Sequence, residues 1–174
     1  MLETMRDRGR FWTSAPDMAK AGIAGDGFFA RFRAGLGQTL ISGKLDIAIS
    51  ALAPGTPEAG LWDLAQEERV CLRIARDRAL LVSATPLDLT PGWRDGFVAT
   101  PCDDAYAVIE MSGPAMPNVI AEGTSADIEA NSRSAAVLFA GVPVLLYRIG
   151  ADTARIHVES PLAAYLWTWL EQRP

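Results

Sequence analysis

The stretch from 142 to 170 constrains the fold most. Two apolar-rich runs, 142–149 and 154–159, flank Gly150-Ala151-Asp152-Thr153. That pattern predicts a β-hairpin with a four-residue loop. In the second strand Ile156 and Val158 fall on one face, and Arg155, His157 and Glu159 on the other. Ser160-Pro161 follows, a polar cap and a proline suited to the first helical position. Leu162, Tyr165, Leu166, Trp169 and Leu170 then recur at helical spacing, which predicts a terminal helix with one apolar stripe; Trp167 lies well off it. A half-apolar hairpin and a striped helix must cover one another, so the chain must build a mixed layer structure.

Upstream the pattern is shorter-ranged. Residues 1–44 read as an irregular arm punctuated by Gly22, Gly25, Gly27, Gly35, Gly37 and Gly43, with Phe28, Phe29 and Phe32 on a short amphipathic helical turn that pins it to a body. A single α+β domain is expected over 45–174. Leu45, Ile47, Ile49 and Ala51 alternate with Asp46, Ala48 and Ser50, which reads as a half-buried strand. Residues 54–60 read as a loop, and 61–68 as one or two helical turns. Val70, Leu72 and Ile74 predict a second strand, 80–83 a third, and 86–96 a connection around Trp93 with room for a short helix. Residues 106–111 are a strong strand running into Ser112-Gly113-Pro114, a helix start. Gly123 is the stop, and Pro117 requires the helix to begin late. Residues 134–139 read as a short strand. Strands do not alternate with long helices, so the expected fold is α+β: a mixed, largely antiparallel sheet with helices packed on one face.

Composition narrows the function classes. The 174 residues suffice for one domain with a real core, and 49% are apolar. No apolar stretch approaches the ~20 residues that span a bilayer. Arg6, Arg8 and Arg10 have no apolar core behind them, so no secretory signal is expected and the cytoplasm is the default. A net charge of -5 argues against nucleic acid. Charge is uneven: residues 1–44 hold seven Lys/Arg against four Asp/Glu, and the rest nine against seventeen. A solvated tail is the preferred account of that basic arm, docking to a partner the other.

Candidate chemistry is sparse. Cys71 and Cys102 are too few for a disulfide framework or a cysteine-based metal site, and read as small apolar fillers. The single histidine, His157, shares a polar strand face with Arg155 and Glu159, so a surface histidine is preferred over a catalytic base. The glycine segments are not phosphate loops: Gly35-Leu36-Gly37 lacks the third glycine, and Leu45 follows Gly43-Lys44 where a hydroxyl is needed. Asp103-Asp104 point in opposite directions on an extended chain and read as a turn rather than a proton-sharing dyad. Trp167 is either an exposed interface anchor or is covered by the arm's phenylalanines. No catalytic, cofactor-binding or metal-binding residue is assigned.

Several segments nevertheless resemble a known family. Arg73-Ile74-Ala75 followed by Arg78-Ala79-Leu80-Leu81-Val82 resembles the paired strands that open the aminomethyltransferase-like, folate-binding fold. Residues 102–115, an acidic pair, a strand, then Gly113-Pro114 and a helix, look like its next segment. Residues 119–128 and 158–170 are similar to the short helix, Gly turn and terminal helix of sarcosine oxidase gamma subunits. The resemblance covers about residues 69–172; Pro117 and Phe139-Ala140-Gly141 depart from the pattern. It implies the fold of the N-terminal domain of aminomethyltransferase-like proteins. It also implies a non-catalytic subunit of a flavin-dependent heterotetrameric complex, an oxidoreductase that demethylates sarcosine with folate one-carbon transfer. FAD, FMN, NAD and tetrahydrofolate are then expected in larger flavoprotein partner subunits and none in this chain. The alternatives are a free-standing folate-binding, aminomethyltransferase-like protein, in which Asp103 or Asp104 serves a pterin, and a plain interaction module.

Overall fold

The 142–159 hairpin forms and lies within a six-stranded sheet, but its loop is two residues rather than the expected four, because Gly150 and Thr153 pair and leave only Ala151-Asp152 in the turn. The computed structural model describes residues 16–90, 92–130 and 132–173. Its strands are β1 Gly22–Ala24, β2 Phe29–Phe32, β3 Gly37–Gly43, β4 Glu58–Ala59, β5 Val70–Ala75, β6 Arg78–Ser83, β7 Trp93–Arg94, β8 Phe97–Pro101, β9 Tyr106–Ser112, β10 Ala136–Phe139, β11 Val142–Gly150 and β12 Thr153–Glu159. The helices are α1 Leu45–Leu52, α2 Met116–Gly123 and α3 Ala163–Glu171. The first sheet has the order β1-β2-β9-β12-β11-β10 and is antiparallel throughout. The second has the order β4-β5-β6-β3-β8-β7 and is parallel only between β4 and β5. The α+β, largely antiparallel class therefore holds, with two sheets where one was expected.

Three apolar clusters order the layers. Ile109, Met111, Leu146 and Ile156 of the first sheet pack with Met116 and Ile120 of α2 and Leu166 and Leu170 of α3. The opposite face of that sheet gives Val108, Leu145 and Tyr147, which meet Leu72, Leu80 and Val82 of the second sheet. The outer face of the second sheet supplies Ile41, Leu81 and Phe97 against Leu45 and Ala48 of α1. The first sheet is thus covered on both faces, which decides the fate of its polar residues below.

Several local expectations give way. Residues 45–52 are a helix, not a strand: Leu45 and Ala48 are buried three apart, and Ile49 and Leu52 continue that face onto the same cluster. The described part of the glycine-rich arm is not irregular. It forms β1, β2 and β3, and β3 shares one apolar cluster with α1 across the expected boundary at residue 44. Its first fifteen residues lie outside the described ones. Phe29 and Phe32 belong to strand β2 rather than a helical turn, and Phe28 is fully buried just before it. Residues 61–68 contain no helix. They cross to the first sheet, where Ala65 N donates to Arg148 O at 2.8 Å and Trp62 N to Leu146 O at 3.3 Å. In the 86–96 connection, Trp93 and Arg94 pair with Val98 and Phe97 as an edge hairpin.

Helix α2 begins at Met116, so Pro117 sits in the first turn, where its missing N–H costs nothing. Gly123 ends it, and a side chain there would run into the Phe139 ring. A 3₁₀ turn, Ser160–Leu162, precedes α3. The Ser160 hydroxyl does not cap; it donates to Asp104 O at 2.6 Å.

Candidate functional site

His157 is not on the surface. With both faces of the first sheet covered, its polar row is interior, and His157 is 0% exposed. Gln38 reaches it from β3 of the second sheet. The Gln38 amide nitrogen donates to Asp103 O at 3.1 Å and Tyr106 O at 2.9 Å, which turns its oxygen toward His157 Nδ1 at 2.7 Å. Nδ1 must therefore carry the proton, and Nε2 is left as the acceptor facing the Tyr147 hydroxyl at a long 3.4 Å. Burial, with the Arg155 charge adding to it, lowers the His157 pKa to about 3. The imidazole is neutral, fixed in one tautomer, and spent on tying the two sheets together.

A second polar row crosses the same face one step along. Arg31, Glu110, Arg155 and Tyr147 are directly opposed on β2, β9, β12 and β11. Arg155 is buried. Its guanidinium grips Glu68 with two hydrogen bonds, of 2.8 and 3.0 Å, and its Nε donates to Glu110 at 3.1 Å. Arg31 binds the other Glu110 oxygen at 2.6 Å. Burial pushes the Glu110 carboxyl up, but the hydrogen bonds from Arg31 and Arg155 outweigh it and hold the pKa below its ordinary value. The hydrogen bond from Arg155 likewise lowers Glu68. The sequence holds one hint of this row: a glutamate inside the otherwise uncharged strand Tyr106–Ser112 needs a cationic partner. Gln38 carries no such hint, because its partner lies 119 residues away.

The acidic pair forms a turn. Asp103 Oδ1 accepts Gln38 N–H at 2.6 Å, and Ala105 N donates to Cys102 O at 2.9 Å. Two clefts flank this turn. One, of about 400 Å³, is walled by Phe32, Leu36, Gln38 and Val108 with Asp103 and Asp104 at its edge. The other, of about 490 Å³, is walled by Leu40, Cys102, Tyr106 and Pro161 with Asp104 and Glu159. Cys71 is buried, and burial pushes its thiol up to about 12; burial also raises Cys102. Both are poor nucleophiles at neutral pH. Among the described residues no group of three or more His, Cys, Asp or Glu is placed to hold a metal.

Trp167 takes the covered one of its two expected positions. Trp167 is 2% exposed: Phe32 stacks on it with ring centroids 4.6 Å apart, and its indole N–H donates to Glu171 at 2.7 Å. The arm's phenylalanine covers it, so it is no exposed anchor. Trp93, read as part of a connection, is instead 68% exposed on the edge strand β7. Its hairpin had a signal: Asp95 and Gly96, with φ of 50° and 86°, are an Asp-Gly pair suited to a tight two-residue turn.

With this geometry in hand, the chain can be set beside known proteins. No family model matches the sequence, and no curated protein does. A solved chain matches over nearly its whole length. It belongs to the heterotetrameric sarcosine oxidase from Corynebacterium sp. U-96, in a structure in complex with pyrrole 2-carboxylate. The TM-score is 0.69 and the sequence identity 20%, over 88% of this chain and 87% of that one. This chain has the fold of a sarcosine oxidase chain. The two coverages make the oxidase chain and this one close to equal in length. The resemblance read from residues 69–172 thus holds at the level of the fold. The oxidase likeness also takes in more of the chain than those residues, since 88% cannot be reached without strands before residue 69.

Proposed function

We propose that this chain is a small, non-catalytic subunit of a flavin-dependent, heterotetrameric sarcosine oxidase-like complex. The observation that carries the reading is the likeness, over 88% of this chain, to a chain of nearly equal length from a heterotetrameric sarcosine oxidase. The interior chemistry supports it. The single histidine is held neutral between two sheets, Arg155 is spent on two carboxylates, and the buried thiol is pushed up to about 12. In this reading the flavins, the dinucleotide and tetrahydrofolate belong to larger flavoprotein partners, and the complex demethylates sarcosine or a related N-methyl amine. No described helix is long and apolar enough to cross a membrane. Affinity purification of the tagged chain from its native cells tests the proposal. Recovery of flavin-coloured larger subunits in fixed stoichiometry is expected; a colourless lone monomer overturns it.

A second reading, a free-standing folate-binding protein, is favoured by the cleft of about 400 Å³ beside the acidic turn. It rests on Asp104, because the Asp103 carboxylate already accepts the Gln38 backbone N–H. Titration calorimetry of the isolated chain with tetrahydrofolate separates the two. The subunit reading expects no heat, whereas saturable heat abolished by Asp104→Asn would establish the second.

A further inference from the structure

We draw no further inference here: the strongest candidate, the apolar strip of Trp93, Val98 and Leu40 where the inner face of the second sheet emerges at its β3-β8-β7 edge, is an unpartnered sheet face, and nothing in the structure shows what covers it.

Discussion

His157 sets how the stability of this protein answers pH. Its folded pKa is depressed from 6.5 to about 3, so the unfolded chain takes up a proton that the folded chain refuses. The stability is complete above pH 6.5 and is lost as pH falls through that window, with a slope of up to about 1.4 kcal/mol per pH unit. Glu68 and Glu110 act lower down: their pKa values fall below the ordinary 4.5, so their contribution is present above that value and lost beneath it. Since the chain has one histidine, the interval between pH 6.5 and 4.5 belongs to His157. His157→Asn keeps a donor at the Nδ1 position toward Gln38 but is too short to place an acceptor at the Nε2 position facing Tyr147, and is expected to cost about 1–3 kcal/mol at pH 7. Urea denaturation across that interval should give a falling midpoint for the wild type and a level one for the variant. Arg155 makes a second case. Arg155→Met leaves Glu110 half-paired in the interior and should cost about 3–5 kcal/mol. Arg31→Met removes an ion pair whose arginine is mostly exposed, and should cost no more than about 1 kcal/mol. Equal losses in the two variants would show that Arg155 is not the buried hub.

Among elements, α3 forms where its apolar stripe predicts a helix, but Tyr165 of that stripe stands exposed. The stripe Leu162, Tyr165, Leu166, Trp169 and Leu170 predicts the helix, but the buried set is Ala163, Leu166, Trp167 and Leu170. The covered arc is rotated because β2 brings Phe32 over one flank, and a helical wheel holds no information about a strand 135 residues away. Tyr165 stands 53% exposed, its hydroxyl donating to Ala140 O at 2.9 Å. Trp167→Ala should therefore lose about 3–5 kcal/mol and Tyr165→Ala about 1 kcal/mol, measured as shifts in the urea midpoint. The reverse order would restore the rotation expected from the sequence. The same logic sorts the other elements. Strands β5, β6, β9, β11 and β12 were legible because their pairing is local or their apolar runs are long. Strand β3 was not: it is central in its sheet, buried on both faces, and carries Gln38 and Thr39 inside, so no alternation survives. Helix α1 failed for the opposite reason. Leu45-Asp46-Ile47-Ala48-Ile49 satisfies a period of two as well as it satisfies a helix, and only packing on β3 and β8 decides. Of the candidate site, the acidic turn was legible and the polar rows were not, because a one-sided sheet was assumed.

At the scale of the molecule, the two sheets are coupled through more than apolar contact. Leu72, Leu80 and Val82 pack on Val108, Leu145 and Tyr147, while Gln38 joins β3 to His157 and Glu68 joins the approach to β5 to Arg155. Opening one sheet from the other strands buried polar groups on both, so neither sheet has a favourable folded state alone. The isolated chain should unfold in one transition, with far-ultraviolet dichroism and tryptophan fluorescence superimposing, since Trp62 and Trp167 report the first sheet's cluster and the dichroism reports both sheets. That cooperativity makes the thermal midpoint a sensor for the proposed assembly. A partner that binds only the folded chain stabilises it by RT ln(1 + [L]/Kd), about 2.7 kcal/mol at a hundredfold excess over Kd. Titrating purified large flavoprotein subunits into the chain, followed by tryptophan fluorescence of the single melting step, should raise the midpoint in a saturable way. Tetrahydrofolate added without those subunits should leave it unmoved. A rise with tetrahydrofolate alone would shift the reading to a ligand-binding protein. An unmoved midpoint with both would mean that this fold has been kept without the assembly in which its structural neighbour was solved.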